Sequence, residues 1–176
     1  MTFGVFSHIF GTKRDKSGQT TMPDLLIGNY KARFDASGRI KIPEKIREAI
    51  EANYGRELFV TSIHNDSVEI YPLPVWLEMT GTAAEGALHL RPDVRKFMLR
   101  VNRNGARHEL DSKGRVLITQ ALREKAQLGD EVEIIGLSNH LEVWNTTALD
   151  RALEAKELSD EDFETIARII PRGKTE

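Results

Sequence analysis

Apolar and polar positions alternate over residues 39–42, with Ile40 and Ile42 on one face and Arg39 and Lys41 on the other. Such period-two alternation marks a strand buried on one side. A short strand over 32–34 precedes it across Asp35-Ala36-Ser37-Gly38. That tetrapeptide reads as a tight turn, because Asp can hydrogen-bond its own backbone and Gly accepts a positive φ. After Pro43 the period changes. Ile46, Ala49 and Ile50 recur at helical spacing, and a proline at the first helical position sacrifices no hydrogen bond. Gly55 ends the helix, and strands over 57–63 and 68–71 form a hairpin around 64–67. The unit is strand, turn, strand, helix, hairpin, and its roughly 40 residues are too few to close a core of their own.

The pattern occurs twice. FDASGRIKIPEKIREA (34–49) aligns without gaps on LDSKGRVLITQALREK (110–125), with Asp35/Asp111, Gly38/Gly114, Arg39/Arg115, Ile42/Ile118, Arg47/Arg123 and Glu48/Glu124 identical. ELFVTSI (57–63) then matches EVEIIGL (131–137), and VEIY (68–71) matches LEVW (141–144). The offset falls from 76 to 73, so the second copy has a shorter helix and a shorter hairpin loop. Two incomplete units in one chain are expected to interleave and finish each other's core. The fold class expected is mainly β with short helices (α+β).

The chain divides accordingly into a flexible extension (1–24), a first repeat (25–76), a helical connector (77–105), a second repeat (106–150) and an acidic helical tail (151–176). Near the connector, Pro72 and Pro74 precede a helical turn over 75–79, followed by a loop over 80–89. A helix over 92–101 then carries Val94, Phe97, Met98 and Val101 as its stripe. In the tail, Asn145 is positioned to cap a helix from Thr146, and Ser159 with Asp162 forms a capping box for the last helix.

Composition narrows the chemistry. The 176 residues contain no cysteine, which removes disulfides, thiolate nucleophiles and Cys-based zinc sites. No apolar run is long enough to span a bilayer, and the basic residues near the start follow the apolar stretch, opposite to a secretory signal. A cytoplasmic protein is expected. The five histidines (His8, His64, His89, His108, His140) show no metal-ligand spacing, and no nucleophile-elbow or phosphate-loop pattern is present. The reading is a non-enzyme with no cofactor and no metal. The net charge of −2 conceals an uneven distribution. Lys31, Arg33, Arg39, Lys41, Lys45 and Arg47 outnumber Asp35 and Glu44 over 31–47, while carboxylates dominate 148–165. The local patch decides what a surface attracts, because screening confines the attraction to a Debye length of roughly 8 Å.

The candidate site is the repeated Asp-x-x-x-Arg: Asp35 with Arg39, and Asp111 with Arg115. Each aspartate can satisfy turn N–H groups or hold the arginine fork. Each arginine can contact two acceptors on a guanine edge or grip a phosphate, and a two-stranded ribbon fits a major groove. A solvated arginine beside a good turn is the plainer alternative. Repetition at matched positions favours function. Lys31, Arg33 and Lys41 flank the first turn, and Arg107 and Lys113 the second, as candidate phosphate contacts. Arg47 and Arg123 sit off the apolar stripe beside Glu48 and Glu124. A structural salt bridge or a subunit contact is expected of them.

GNYKARFDASGRIKIPEKIRE (28–48), IYPLPVW (70–76), HELDSKGRVLI (108–118), LREKAQLGDEVEIIG (122–136) and LEVW (141–144) together resemble the MraZ family, of the SpoVT/AbrB-like swapped-hairpin superfamily. The resemblance runs from about Leu25 to about Ala155. It implies two interleaved swapped-hairpin β-barrel units and a sequence-specific transcriptional regulator of the division and cell-wall gene cluster. It further implies binding of double-stranded DNA at promoter direct repeats, its own promoter included, through Asp35, Arg39, Asp111 and Arg115. A ring-shaped homo-oligomer associated with the nucleoid, and no membrane, complete what it implies. An antitoxin-like module of the same superfamily, binding a protein partner, is the alternative. Three departures stand out. Thr119 replaces Pro43, which predicts a looser helix start. Leu117 replaces Lys41, which predicts a weaker phosphate grip in the second copy. About two dozen residues precede the GNY segment; a disordered tail without function is the plainer expectation for them, and a basic arm of Lys13, Arg14 and Lys16 the alternative.

Overall fold

The computed structural model describes residues 13–14, 20–21, 26–84, 90–155 and 157–169. Strands β1 (Lys13–Arg14) and β2 (Thr20–Thr21) pair antiparallel, Lys13 opposite Thr21. The rest of the expected extension over 1–24, Lys16 of the basic arm included, lies outside the described residues. No helix among the described residues is long and apolar enough to cross a membrane.

The first copy supplies β3 (Leu26–Arg33), β4 (Arg39–Lys41), α1 (Glu44–Asn53), β5 (Glu57–Thr61) and β6 (Ser67–Pro72). Helices α2 (Leu73–Ala84) and α3 (Pro92–Arg103) connect it to the second copy. That copy consists of β7 (Ala106–Glu109), β8 (Arg115–Leu117), α4 (Gln120–Lys125), β9 (Glu131–Ser138) and β10 (Leu141–Trp144). Helices α5 (Thr146–Glu154) and α6 (Asp160–Ile169) follow. The chain forms two compact units, residues 1–146 and 147–176. In the second, the Ser159 backbone and hydroxyl donate to Asp162 Oδ2 at 3.0 and 2.8 Å and the Asp162 N–H returns to Ser159 Oγ at 3.2 Å, the capping box read from the sequence.

The two copies are interleaved. Six strands form one antiparallel sheet in the order β3-β9-β10-β6-β5-β7. Within this sheet β5–β6 and β9–β10 are each a hairpin of one copy. The first strand of each copy crosses to the other: β3 pairs β9 from Leu26↔Ser138 to Arg33↔Glu131, and β7 pairs β5 from Glu57↔Glu109 to Val60↔Ala106. At the centre β6 meets β10, with Glu69 opposite Glu142. Strands β4 and β8 form a separate two-stranded ribbon. The period-two pattern explains the arrangement. Ile40, Val116, Val68, Ile70, Val132, Ile134, Leu141 and Val143 turn one face inward, where they meet Ile46 and Ile50 of α1 and Leu122 of α4 in a single core that neither copy could form alone.

Strands β5 and β6 are buried on both faces. Leu58, Val60, Val68 and Ile70 face the shared core, while Phe59 and Tyr71 face the connector. Phe59 stacks on Trp76 of α2 with ring centroids 4.3 Å apart, and Tyr71 leans on the same ring at 5.3 Å. Val101 of α3 completes this second cluster, and its carbonyl accepts from Thr61 Oγ1 at 2.6 Å.

Three local expectations are corrected. The first strand runs from Leu26 to Arg33 rather than over 32–34, because eight residues of β9 are available to pair with it. The helical turn expected over 75–79 is one part of α2, which starts at Leu73 and continues through 80–84, where a loop was read. Its Trp76 anchors it to the sheet. Thr119 does not loosen α4: its hydroxyl accepts from the Leu122 N–H at 3.4 Å as an N-cap.

Candidate nucleic-acid interface

Each Asp-x-x-x-Arg segment closes on itself in the same way. Asp35 Oδ1 accepts from the N–H groups of Ser37 (2.9 Å) and Arg39 (3.0 Å). Its N–H donates to the Arg39 carbonyl and its own carbonyl accepts from Gly38, both at 2.9 Å. Asp111 Oδ1 accepts from Lys113 and Arg115, and the backbone bonds repeat, all at 2.9 Å. Gly38 (φ +77°) and Gly114 (φ +71°) hold the positive-φ corner that the turn requires. The turn N–H groups, Arg39's first, pull the Asp35 carboxyl below its ordinary value, with the charges of Arg115 and Arg39 adding to them. The Arg115 N–H does the same first for Asp111, followed by its side chain.

The two turns are fastened to each other. Ile42 N–H donates to the Gly114 carbonyl at 2.9 Å, and Ile118 N–H to the Gly38 carbonyl at 3.0 Å. Strands β4 and β8 thereby form a ribbon with Arg39 opposite Leu117, Ile40 opposite Val116, and Lys41 opposite Arg115. Ile40 and Val116 are fully buried. By alternation, Arg39, Lys41, Arg115 and Leu117 share the other face. The Arg115 fork spans both turns, donating from Nε to Asp111 Oδ2 and from Nη1 to Asp35 Oδ2, each at 2.8 Å. Among the described residues, no hydrogen bond or ion pair joins the side chain of Arg39, Lys31, Lys41 or Lys113 to a protein group.

The structure thus brings Asp35, Arg39, Lys41, Asp111, Lys113 and Arg115 together on one ribbon and its two turns. Lys31 and Arg33 lie on β3, where they line one groove with Lys41. Arg33 is ion-paired with Glu131, and Arg107 with Glu57 at 2.5 Å. Both pairs are largely exposed, so water screens them and leaves them little net strength.

Beneath the turns lie two side chains whose role spacing alone did not show. Arg47 of α1 passes under the second copy's turn, its Cδ 2.6 Å from where a Cβ on Gly114 would stand. Arg123 of α4 passes under the first copy's turn, its Nη2 3.0 Å from the equivalent point on Gly38. Arg47 is ion-paired with Glu44 (3.7 Å) and Glu51 (4.0 Å) rather than with its neighbour Glu48. Arg123 lies 5.3 Å from the ring centre of Phe34, in the other copy, within cation–π reach. Arg56 is a further support, donating to the carbonyls of Leu110 (2.5 Å) and Asp111 (2.8 Å) at the second turn. The identical pair Arg47/Arg123 was the available signal, but sequence spacing reveals neighbours along a helix and not across the copies. Among the described residues, no cluster of three or more His, Asp or Glu side chains is arranged to hold a metal ion.

Comparison with known proteins meets the same residues. A family model described as "MraZ protein, putative antitoxin-like" matches twice, over residues 25–89 and 103–168, each match containing one Asp-x-x-x-Arg turn. The transcriptional regulator MraZ of Acidobacterium capsulatum is 36% identical over 140 residues, covering 80% of this chain and 95% of the relative. The transcriptional regulators MraZ of Koribacter versatilis (31% identical; 80% and 95% covered) and Finegoldia magna (30%; 79% and 94%) are similar over the same extent. With both copies of the repeat matched by the family model and nearly the whole length of these relatives covered, the chain belongs to the MraZ family.

Proposed function

We propose that this protein is a sequence-specific DNA-binding transcriptional regulator. The observation that carries the reading is the fusion of two Asp-x-x-x-Arg turns into one two-stranded ribbon with arginine and lysine on its outward face. A ribbon of this width suits the major groove, where an arginine fork reads guanine and lysines hold phosphates. In this reading the repeats over 25–76 and 106–150 form the DNA-reading module, joined by the connector 77–105 and followed by the tail 151–176. Asp35, Arg39, Asp111 and Arg115 form its centre, and Lys31, Arg33, Lys41 and Lys113 hold the backbone. The target is a set of direct repeats in the promoter of the division and cell-wall gene cluster, including the gene's own, read in the cytoplasm on nucleoid DNA. A ring of copies presents several ribbons at once and gains affinity through effective concentration.

The test is fluorescence anisotropy with the DNA upstream of the protein's own coding region and a scrambled duplex, at two salt concentrations. The wild type should prefer the upstream duplex, and the Arg39→Ala/Arg115→Ala double variant should lose that preference. The salt slope gives the phosphate count, at about 0.9 per neutralised phosphate in log–log form. Absence of any preference in a folded protein refutes the regulator reading. The second reading, a module that docks a protein, rests on the apolar side chains Leu153, Phe163 and Ile169, which α5 and α6 expose beside many carboxylates. It predicts that the full chain shows no preference for the upstream duplex and that a deletion from residue 147 abolishes binding of the protein partner.

A further inference from the structure

The two copies are related by sequence, yet their arginines are not used alike. Asp35 and Asp111 each commit Oδ1 to the N–H groups of their own turn. Each then has Oδ2 to offer, and Arg115 takes both at 2.8 Å. Arg39, at the matched position, makes no side-chain hydrogen bond or ion pair among the described residues, and only its charge is felt by Asp35.

The ribbon register supplies a cause. Arg115 stands opposite Lys41. Like charges facing each other across two strands repel, and swinging the Arg115 fork onto two carboxylates relieves that repulsion. Arg39 stands opposite Leu117, which exerts no such push. Arg115 is the arginine bonded to both Oδ2 atoms, and the Lys41/Leu117 difference is the asymmetry that selects it. One further matched position leans the same way, Arg33 against the acidic Glu109, while Ser37 against Lys113 leans the other way. On the two first strands Lys31 is matched by the equally basic Arg107.

We infer that the two arginines divide the work: Arg115 is a positioning residue that locks the turns together, and Arg39 is the side chain that reads the base. This rests on the DNA-reading function proposed above and goes beyond it, since that function treats the two motifs as equivalent. The Lys41/Leu117 difference is the determinant of which arginine does which.

The experiment titrates wild type, Arg39→Ala, Arg115→Ala and the exchange variant Lys41→Leu/Leu117→Lys against the upstream and scrambled duplexes, with thermal unfolding of each. Arg39→Ala should keep the wild-type Tm and lower affinity for the upstream duplex by about 5- to 150-fold, with little change on the scrambled one. Arg115→Ala should lower the Tm and weaken both duplexes by a similar factor. Its ratio of upstream to scrambled affinity should stay within about threefold of wild type, and its salt slope should not change, because the clamp neutralises no phosphate. In the exchange background the roles should reverse, with Arg115→Ala now removing discrimination and Arg39→Ala sparing it. A merely structural Arg115 would not exchange roles. Equal loss of discrimination from Arg39→Ala and Arg115→Ala, or an exchange variant that behaves as wild type, overturns the inference while leaving DNA recognition standing. A wild type without preference overturns the recognition reading and the reader role of Arg39 with it. In that case an unchanged Tm in Arg115→Ala overturns the clamp as well.

Discussion

Gly114→Ala and Gly38→Ala make the same chemical change at matched corners and should not cost the same. Both glycines sit at positive φ, +71° and +77°, where an alanine costs roughly 1–2 kcal/mol. The difference lies underneath. A Cβ on Gly38 would meet Arg123 Nη2 at 3.0 Å, the end of a flexible side chain that can move aside, and the Ile118 carbonyl at 3.3 Å, which a shift of a few tenths of an ångström relieves. A Cβ on Gly114 would meet Arg47 Cδ at 2.6 Å. That atom lies midway along a side chain whose head is ion-paired with Glu44 and Glu51. Moving it takes a rotamer off its minimum, at about 0.5–1.5 kcal/mol. Gly114→Ala should therefore lose about 1.5–3.5 kcal/mol and Gly38→Ala about 1–2, using the same two figures. In thermal unfolding followed by circular dichroism these correspond to roughly 3–14 °C and 2–8 °C, at about 2–4 °C per kcal/mol for a chain of this size. A double-variant cycle isolates the contact. In Arg47→Ala the obstruction is gone, so Gly114→Ala/Arg47→Ala should be more stable than the sum of single losses predicts, by about 0.5–1.5 kcal/mol. Equal Tm losses at the two glycines, or strict additivity with Arg47→Ala, would refute the cross-copy contact.

Other consequences follow from the same geometry. The folded-state pKa values of Asp35 and Asp111 are depressed. Their contribution to stability is therefore complete above the unfolded carboxylate range, near pH 4, and is lost as pH falls through the lower folded values. Denaturant unfolding of wild type and Asp35→Asn/Asp111→Asn should show a gap that is constant near neutrality and closes in acid, and a gap that widens in acid would contradict the hydrogen-bond assignment. Ile118 is fully buried in the shared core, so Ile118→Ala should cost about 2–5 kcal/mol and shift a single cooperative transition, with circular dichroism and tryptophan fluorescence in agreement. A fragment spanning 26–84 lacks the partners of β3 and β4. In sedimentation velocity it should appear as a homodimer or fail to fold, and a folded monomer would contradict the interleaving.

Much of this architecture is legible before any coordinates. The alternation at Ile40 and Ile42, the helical stripe of Ile46, Ala49 and Ile50, and the doubled Asp-x-x-x-Arg fix the elements, the repeat and the core-facing side. Periodicity specifies which face of a strand is buried, but it does not name the strand alongside. The length of β3 is decided by β9, more than 100 residues away, and Gly28 and Asn29 give no alternation that would announce it. Helix α2 continues through Thr80 and Gly81, both poor helix formers, because Trp76 is wedged between Phe59 and Tyr71 and tertiary contact overrides local preference. Arg47 and Arg123 are visible as a conserved-looking pair within the chain. Their position under the opposite copy's turn becomes visible only when the copies are interleaved.

The unequal arginines give the tandem arrangement a physical consequence. Two identical units that swapped strands as a homodimer would place the same residue opposite both arginines, and each would have an equal claim on the two Oδ2 atoms. The site would then be symmetric on average, with either arginine free. Joining the copies in one chain allows Lys41 and Leu117 to differ, and a single charge across the ribbon is enough to bias one fork onto the carboxylates. The core diverges only from one apolar residue to another: Val116 answers Ile40, Leu122 answers Ile46 and Ala126 answers Ile50, while Ile42 and Ile118 are identical and fully buried. Packing must be satisfied in both copies alike, whereas the outward face is free to specialise, and it is on that face that the two halves of the molecule have come apart.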